Sequence, residues 1–284
     1  MLSSALGLLA GLLLILIGAV AWGKYRWARD TRTLVARLNA HRLPASAGQV
    51  DFGAIDTLPP PVQRYLRAVL QDGAPIVAAV DLDHVGQFNL GEDVDRWRPF
   101  ASRQRVVARR PGFVWDGRIA MLPGLPVHVH DAYVAGEGIL QPSLLGLVSL
   151  FSLRGTPEVA EGELMRFLAE ATCYPTVLLP GQGVHWQAVD AHSARAMLTD
   201  GAITVALLFS FDSNDLVETV TATARGRTVG GQVIPTPWEG RWSNYQWHDG
   251  MRVPTAGEVA WLLPQGRKPY WRARMTRIAY EFAA

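Results

Sequence analysis

Two histidines, His128 and His130, form the sharpest chemical pattern in the sequence, in the stretch Val-His-Val-His-Asp that ends at Asp131. In a β-strand, residues two apart share a side, so both imidazoles would face one side of a sheet and Asp131 the other. Such a pair can bind a metal ion if a third ligand, His185 or Glu137, comes from elsewhere. Alternatively, both rings face solvent or pack against neighbouring strands. Because no second cluster accompanies the pair, the sequence predicts no bound metal, and a metal-assisted enzyme centred on it stays an alternative.

A second polar group has helical spacing. Glu163, Arg166 and Glu170 are three and four residues apart, which places them along one side of a helix. On an exposed face they would form an ion pair worth roughly 0.3–0.5 kcal/mol. Apolar residues flank Arg166 on both sides, however, and a buried arginine must be paired. In that case the charges would form a polar site under the sheet, together with Asp190 or Arg195.

Other catalytic patterns are missing from the sequence. His185, Asp190, His192 and Ser193 lie close together in sequence, but no G-x-S-x-G motif is present and no strand–turn–helix context supports a serine hydrolase. The glycines do not have the spacing of a phosphate-binding loop that opens a helix after a strand. The sequence therefore predicts no cofactor. It favours a binding protein over an enzyme but leaves open whether any reaction is catalysed.

The N-terminal segment indicates where the protein, and any site in it, is located. The first 23 residues contain no charged side chain, and residues 5–22 are apolar throughout. A bilayer core about 30 Å thick needs roughly 20 apolar helical residues, and Trp22, Tyr25 and Trp27 fall where an interfacial aromatic belt is expected. A cleaved signal peptide is the alternative, because residues 19–21 have the small-x-small form of a cleavage site. Signal peptides carry basic residues before the apolar segment, whereas here they follow it, so the sequence predicts an uncleaved single-pass anchor.

The charge distribution indicates the partner and the side of the membrane. Residues 24–43 have a net charge of +5 and the whole chain has +2, so residues 44–284 have −3. Basic residues next to a span stay cytoplasmic, which favours the cytoplasmic side without excluding the periplasmic one. A basic juxtamembrane segment suits an anionic membrane lipid, and the acidic remainder argues against a nucleic-acid partner.

Hydrophobic periodicity predicts the fold of the remaining chain. Helices are expected at residues 30–41, 60–70 and 156–172, and period-two patterns predict strands at 79–88, 104–108, 113–121, 127–134 and repeatedly from 184 to 282. Residues 143–153 are nearly all apolar and are expected to cover one face of the sheet. Strands do not alternate with helices, so a Rossmann-type fold is excluded.

These patterns predict an α+β fold, in which an N-terminal transmembrane helix precedes a large curved, mostly antiparallel sheet with a few covering helices. The expected divisions are a transmembrane anchor at 1–23, a juxtamembrane basic helix and linker at 24–57, and a β-rich domain at 58–284. Cys173 is the single cysteine, so the chain forms no internal disulfide.

Several sequence clusters run through the soluble part: Leu58-Pro59, Val62-Gln63-Arg64-Tyr65-Leu66, Trp97-Arg98-Pro99-Phe100, Pro111-Gly112-Phe113-Val114-Trp115, Asp131-Ala132-Tyr133, residues 163–170, Leu178-Leu179-Pro180 and Pro237-Trp238. Together they resemble an uncharacterised, domain-of-unknown-function family of bacterial single-span membrane proteins. That resemblance implies no accepted activity and brings no catalytic residues. The long antiparallel strands and an apolar covering helix are also similar, in architecture only, to lipoprotein-carrier half-barrels, which hold acyl chains.

The preferred interpretation is a membrane-anchored domain that binds a hydrophobic or amphipathic, lipid-like ligand between the sheet and residues 143–172. The candidate ligand-binding residues are Arg166, Glu170, Leu147, Phe151, Trp115 and Tyr133. Expected partners are membrane lipid and either an amphipathic small molecule or an envelope protein. A structural or interaction module of a cell-envelope complex is a third interpretation. An apolar cavity would favour the binding domain. His, Asp and Glu side chains that converge on one spot would favour the enzyme. A filled core with an exposed apolar patch would favour the interaction module.

Overall fold

The computed structural model describes residues 2–44, 48–230 and 232–283. Some positions covered by the predicted divisions lie outside the described residues: Met1 of the anchor, residues 45–47 of the linker, and Gly231 and Ala284 of the β-rich domain.

Helix α1 (Leu2–His41) is one unbroken helix of 40 residues. The apolar segment predicted to be the anchor and the basic segment after it are therefore one continuous helix, with no break at Gly23. The first half is exposed, with Leu8 and Ile15 each at 70%. Within the described part of the chain, α1 is the one helix long and apolar enough to cross a membrane.

One antiparallel sheet makes up most of the remaining chain, which confirms the predicted α+β class. The described strands are β1 (Val77–Asn89), β2 (Trp97–Val107), β3 (Gly112–Leu122), β4 (Leu125–Val134), β5 (Glu137–Leu144), β6 (Val148–Ser149), β7 (Leu153–Arg154), β8 (Val184–Ala188), β9 (Ser193–Asp200), β10 (Ile203–Phe211), β11 (Val217–Val229), β12 (Gln232–His248), β13 (Met251–Leu263) and β14 (Gly266–Phe282). Their order is 6-5-4-3-2-1-14-13-12-11-10-9-8, with β7 pairing with β5. Because β1 pairs with β14, the two halves of the sheet meet at its centre.

Three short helices accompany the sheet: α2 (Phe52–Ile55), α3 (Pro60–Val69) and α4 (Pro157–Glu170). The apolar positions of α3 are buried at the spacing that predicted the helix, and prolines occupy its first turn. Thr156 caps the N-terminus of helix α4, and its hydroxyl accepts a hydrogen bond from the Val159 backbone N–H at 3.4 Å. Two 3-10 helices, Ala171–Cys173 and Pro175–Leu178, follow it directly.

The sheet curls around α4 and carries α1 on its outer face. Helix α4 packs against β4 and β5 on one side and against β10 and β11 on the other, so it lies across the concave face. Helix α1 packs against β2, β3 and β4 from outside, where Leu38 joins a second small apolar cluster with Val114 and Ala132. The sheet is thus the middle of three layers.

The apolar segment 143–153 forms no helix. It contains the last residues of β5, the two short strands β6 and β7, and the turns between them, at one edge of the sheet. Helix α4, helix α3 and the 3-10 helix Ala171–Cys173 provide the helical cover of the concave face. Positive φ angles of 55° at Leu145 and 69° at Gly146 form the turn that ends β5.

Candidate ligand-binding cavity

A cavity of about 350 Å³ lies between the concave face of the sheet and α4. Its volume is in the range of small-molecule binding sites. The wall is mainly aromatic and aliphatic, formed by Phe88, Leu90, Trp115, Ile119, Met121, Val127, Val129, Leu140, Pro142, Leu150, Phe151, Ala169, Trp238, Trp242, Val259, Tyr270 and Trp271. Four charged residues complete it: Asp131, Arg166, Glu170 and Arg225.

Four of the six predicted ligand-binding residues line this cavity, namely Arg166, Glu170, Trp115 and Phe151. Leu147 lies elsewhere, beside α1, where its carbonyl accepts a hydrogen bond from Arg26 Nη2 at 2.8 Å. Tyr133 is a fully buried core residue, and its hydroxyl donates to Asp200 Oδ2 at 2.8 Å. The structure therefore brings the first four residues together and leaves Leu147 and Tyr133 outside the cavity wall.

Arg166 is held by three acceptors. Its Nε donates to Glu170 Oε1 at 2.7 Å, Nη1 to Asp131 Oδ2 at 2.8 Å, and Nη2 to Gln104 Oε1 at 3.1 Å. Gln104 Nε2 in turn donates to Glu170 Oε2 at 2.6 Å, which closes a ring of hydrogen bonds. The guanidinium also lies over the aromatic ring of Phe113, with its carbon 4.8 Å from the ring centroid. This pairing is what burial of an arginine requires, and it leaves Arg166 few donors for a ligand.

Glu163 extends the cluster along α4 toward β11. Burial raises the pKa of its carboxyl well above the ordinary value, and the neighbouring Asp131 carboxylate, to which Glu163 hydrogen-bonds, raises it further. Asp131 Oδ1 and Glu163 Oε2 have no other hydrogen-bond partner among the described residues. Arg225 Nη2 is 3.9 Å from Glu163 Oε1, too far for a hydrogen bond that would offset the burial. A protonated Glu163 that shares its proton with Asp131 satisfies both orphaned oxygens.

Arg225 differs from Arg166 in how little it is bound. It donates no hydrogen bond to any described residue, and its guanidinium carbon lies 5.2 Å from the centroid of the Trp238 ring. Its side chain is nevertheless only 11% exposed. A cation in this setting offers its N–H donors to whatever occupies the cavity. Two further donors, the buried indole N–H groups of Trp115 and Trp242, have no partner in the described part of the chain and belong to residues of the same wall.

Sequence reasoning did not identify Arg225, Trp238 or Trp242 as a shared site. The charge of Arg225 was not distinctive, because Thr221, Thr223 and Arg227 make the same strand segment polar. It could be interpreted only once β11 and α4 were known to face each other across the cavity.

His128 and His130 point away from the cavity, onto the outer face of the sheet. The His130 ring stacks on Trp27 of α1 at 3.8 Å between centroids and 11° between planes, and its Nε2 lies 2.7 Å from Thr31 Oγ1. Burial lowers the pKa of His130 to about 4, against the opposing effect of Asp116. Among residues 2–44, 48–230 and 232–283, no three His, Cys, Asp or Glu side chains are grouped as a metal would need. Neither His185 nor Glu137 joins the pair: Glu137 is bound to Arg37 and Arg154.

Comparison with known proteins gives the following matches. Residues 56–280 match a family of unknown function, DUF6920. No curated protein matches the chain. A solved DUF1329 family protein from Desulfovibrio piger is similar over 72% of this chain and 86% of its own, with 10% identity and a TM-score of 0.39. A LolA superfamily protein from Nitrosomonas europaea is similar over 82% of this chain and 94% of its own, with 12% identity and a TM-score of 0.33. A β-barrel-like DUF1849 protein from Brucella abortus is similar over 73% of this chain and all of its own, with 11% identity and a TM-score of 0.20.

The family match spans almost the whole chain after α1, including every strand from β1 to β13 and most of β14. The predicted membership of an uncharacterised family is thereby confirmed. The chain belongs to DUF6920, a family of unknown function.

Proposed function

We propose that the protein is a membrane-anchored binding protein whose cavity holds an amphipathic ligand with an apolar tail and an anionic head group. The observation that carries this proposal is the presence, in one cavity, of an aromatic and aliphatic wall and of Arg225, a buried cation with uncommitted donors. Helix α1 supplies the anchor, since it is long and apolar enough to span a bilayer.

The two parts of the ligand would contribute differently. Each methylene group moved from water into the apolar wall contributes about 0.8 kcal/mol, so the tail supplies most of the affinity. A charge-assisted hydrogen bond to Arg225 adds roughly 1.5–3 kcal/mol. The tail therefore determines whether a ligand binds, and Arg225 determines the preference for an acidic head group.

Arg166 is less suited to contact the head group. Its Nε, Nη1 and Nη2 already donate hydrogen bonds to Glu170, Asp131 and Gln104. Removing it would leave two buried carboxylates without a counter-charge, which typically costs about 3–5 kcal/mol. In this proposal Arg166 forms the polar floor of the cavity, and its loss affects folding before it affects binding.

A pair of probes tests the head-group preference. Full-length protein in phosphatidylcholine nanodiscs is titrated with a dansyl-labelled fatty acid and with the corresponding neutral alcohol, and energy transfer from the cavity tryptophans reports binding. Arg225→Gln should weaken binding of the acid roughly 10- to 100-fold and leave the alcohol unchanged. Arg227→Gln is the matched control. It removes the same charge two residues further along β11, at a residue that pairs with Glu92 outside the cavity wall.

A cavity-filling variant tests the site itself. Val259 is half-buried and lines the cavity, so Val259→Trp should occupy the space that the tail needs and abolish saturable transfer from both probes. Val189→Trp is the control for a new surface tryptophan, since Val189 is 49% exposed and lies outside the wall. An unchanged melting temperature shows that both variants are folded. Saturable binding that persists in folded Val259→Trp, or no saturable binding to the wild type, overturns the proposal.

A further inference from the structure

One end of the sheet carries an exposed apolar surface, here called the apolar rim: Leu122, Leu125, Val148, Leu150 and Phe151. Their exposed fractions run from 39% for Leu125 to 60% for Leu122. Leu122 and Leu125 pair across the β3–β4 hairpin, and the other three follow the turn at the end of β5. Because β4 pairs with both β3 and β5, hairpin and turn are neighbours at the same end of the sheet.

The apolar rim lies in two uncharged stretches of the soluble part. Residues 119–127 and 138–153 contain no Asp, Glu, Lys, Arg or His. The neighbouring β1–β2 loop differs, since Glu92, Asp93 and Asp95 lie in it. An exposed apolar patch flanked by polar segments marks an interaction surface, and the missing charges suit an apolar partner.

The transmembrane part of α1 ends at this same rim. Gly23, the last residue before the first charge, packs against the turn at residues 145–147, where an added Cβ would lie 2.4 Å from the Leu145 carbonyl oxygen. Arg26 fixes the contact, donating from Nη2 to the carbonyls of Gly146 at 2.7 Å and Leu147 at 2.8 Å. Beyond this point α1 runs along β4 to Arg37, which donates to the Val134 carbonyl at 3.3 Å. The membrane end of α1 and the apolar rim are therefore at the same level.

The apolar rim is also part of the cavity wall. Leu150 and Phe151 are about half exposed, and both line the cavity. The same two side chains thus have one side toward the space that would hold a ligand tail and another toward the surroundings at the level of the bilayer.

We propose that the apolar rim inserts into the membrane leaflet around α1, and that the ligand passes between bilayer and cavity past Leu150 and Phe151. The partner of this surface is the lipid bilayer itself. The insertion rests on the contacts of Gly23 and Arg26 with residues 145–147. The ligand route rests in addition on the proposed function.

Single-cysteine labels test the insertion. Cys173 is buried and burial raises the pKa of its thiol, so it does not compete for a maleimide fluorophore. Full-length Leu122→Cys and Leu150→Cys proteins are labelled in vesicles of phosphatidylethanolamine and phosphatidylglycerol that contain a lipid with a nitroxide quencher near the head group. Both labels should be quenched as strongly as a label at Trp22→Cys, and Val189→Cys should not be quenched. Val189 is the matched control because it is exposed and apolar but lies in the β8–β9 connection.

Two results would overturn the insertion. Rim labels that are no more quenched than the Val189 label place the rim in water. Excimer formation between pyrene labels at Leu150→Cys, without lipid quenching, would make the rim a contact between two copies of the chain.

A loading experiment tests the route. Leu122→Asp/Leu125→Asp places charges on the rim without touching the cavity wall and should slow transfer of the fatty-acid probe from vesicles on the order of tenfold. Its affinity for probe added from solution should stay unchanged, and Val189→Asp should change neither. Equal loading rates in the rim variant and wild type refute the route. If the wild type shows no saturable binding, the proposed function is refuted instead. Quenching of the rim labels would still support the insertion in that case.

Discussion

At the scale of single residues, one buried proton controls the charge of the cavity floor. Asp131, Glu170, Arg166 and Arg225 carry two negative and two positive charges. A protonated Glu163 keeps this set neutral, whereas an ionised Glu163 would add an uncompensated charge at full burial. With Glu163 protonated, the cavity therefore combines an apolar wall with a polar floor that has no net charge.

The raised pKa of Glu163 makes stability depend on pH. The folded state binds the Glu163 proton more tightly than the unfolded state does. The protein therefore loses stability as the pH rises from 4.5, the ordinary pKa of this carboxyl, toward the raised pKa. Glu163→Gln resembles the protonated form and should remove this loss. We expect its free energy of unfolding at neutral pH to exceed that of the wild type by about 1 kcal/mol or more, and the difference to vanish near pH 4. Urea unfolding at several pH values measures it.

Glu161→Gln is the matched control for this measurement, because Glu161 is exposed on the same helix. It should leave the pH dependence of the wild type unchanged. A Glu163→Gln protein that is less stable than the wild type at neutral pH would show that Glu163 is ionised there and paired with Arg225.

At the scale of elements, α1 contributes to the fold in addition to its proposed role as a membrane anchor. Trp27 is 7% exposed, stacks on His130, and donates from its indole nitrogen to Asp116 Oδ1 at 2.9 Å. Thr31 and Leu38 continue the contact along the same side of the helix. The helix is therefore fixed to the outer face of the sheet, and this fixes the apolar rim relative to the anchor.

Acid should weaken this attachment. The pKa of His130 is lowered to about 4 by burial, so the folded state binds its proton less readily than the unfolded state. The resulting stabilisation is complete above pH 6.5 and is lost progressively between pH 6.5 and about 4. The protection factors of the backbone amides of residues 24–41, which correct for the intrinsic slowing of exchange in acid, should fall over this interval in the wild type. In His130→Gln, which cannot be protonated, this fall should be absent, and an equal fall in both proteins would contradict the prediction.

Local patterns predicted most elements but not how they meet. The apolar spacing of α3, the Thr156 cap of α4 and the facing of His128 and His130 all follow from period and capping rules, and the structure has them. The pairing of β1 with β14 joins segments almost 200 residues apart, and local sequence does not specify such a partner. The curl of the sheet, and hence the cavity, depends on that pairing.

The position of Arg225 shows a second limit of prediction from local sequence. Side chains alternate along a strand, and from the buried Val220 and Ala222 the alternation predicts that residue 225 faces outward. The register with β12 shifts between Ala222 and Arg225, and such a bulge reverses the facing of the residues after it. Arg225 therefore points into the cavity against the pattern of its own strand.

At the scale of the whole molecule, the juxtamembrane cations have divided roles. Arg26 binds the turn at residues 145–147, Arg37 pairs with Glu137, and Arg42 pairs with Glu281. Lys24 and Arg32 are exposed and remain available to lipid head groups, whereas the exposed Arg29 pairs with Asp30 at 3.4 Å. The predicted cytoplasmic side of the domain rests on all six cations together and stays a prediction.

Truncation tests the predicted boundaries of the chain at residues 23 and 57. Residues 24–41 supply Trp27 and Leu38 to the buried outer layer, whereas the apolar half of α1 has exposed side chains. A protein that starts at Trp22 should therefore melt in one transition, at the temperature of the full chain in detergent. A protein that starts at Leu43 should also melt in one transition but be less stable by roughly 3–6 kcal/mol, the value of burying two large apolar side chains. Equal stability of the two truncated proteins would make residues 24–41 a mere linker, and two separate transitions in the longer one would mean that the β-rich part contains more than one folding unit.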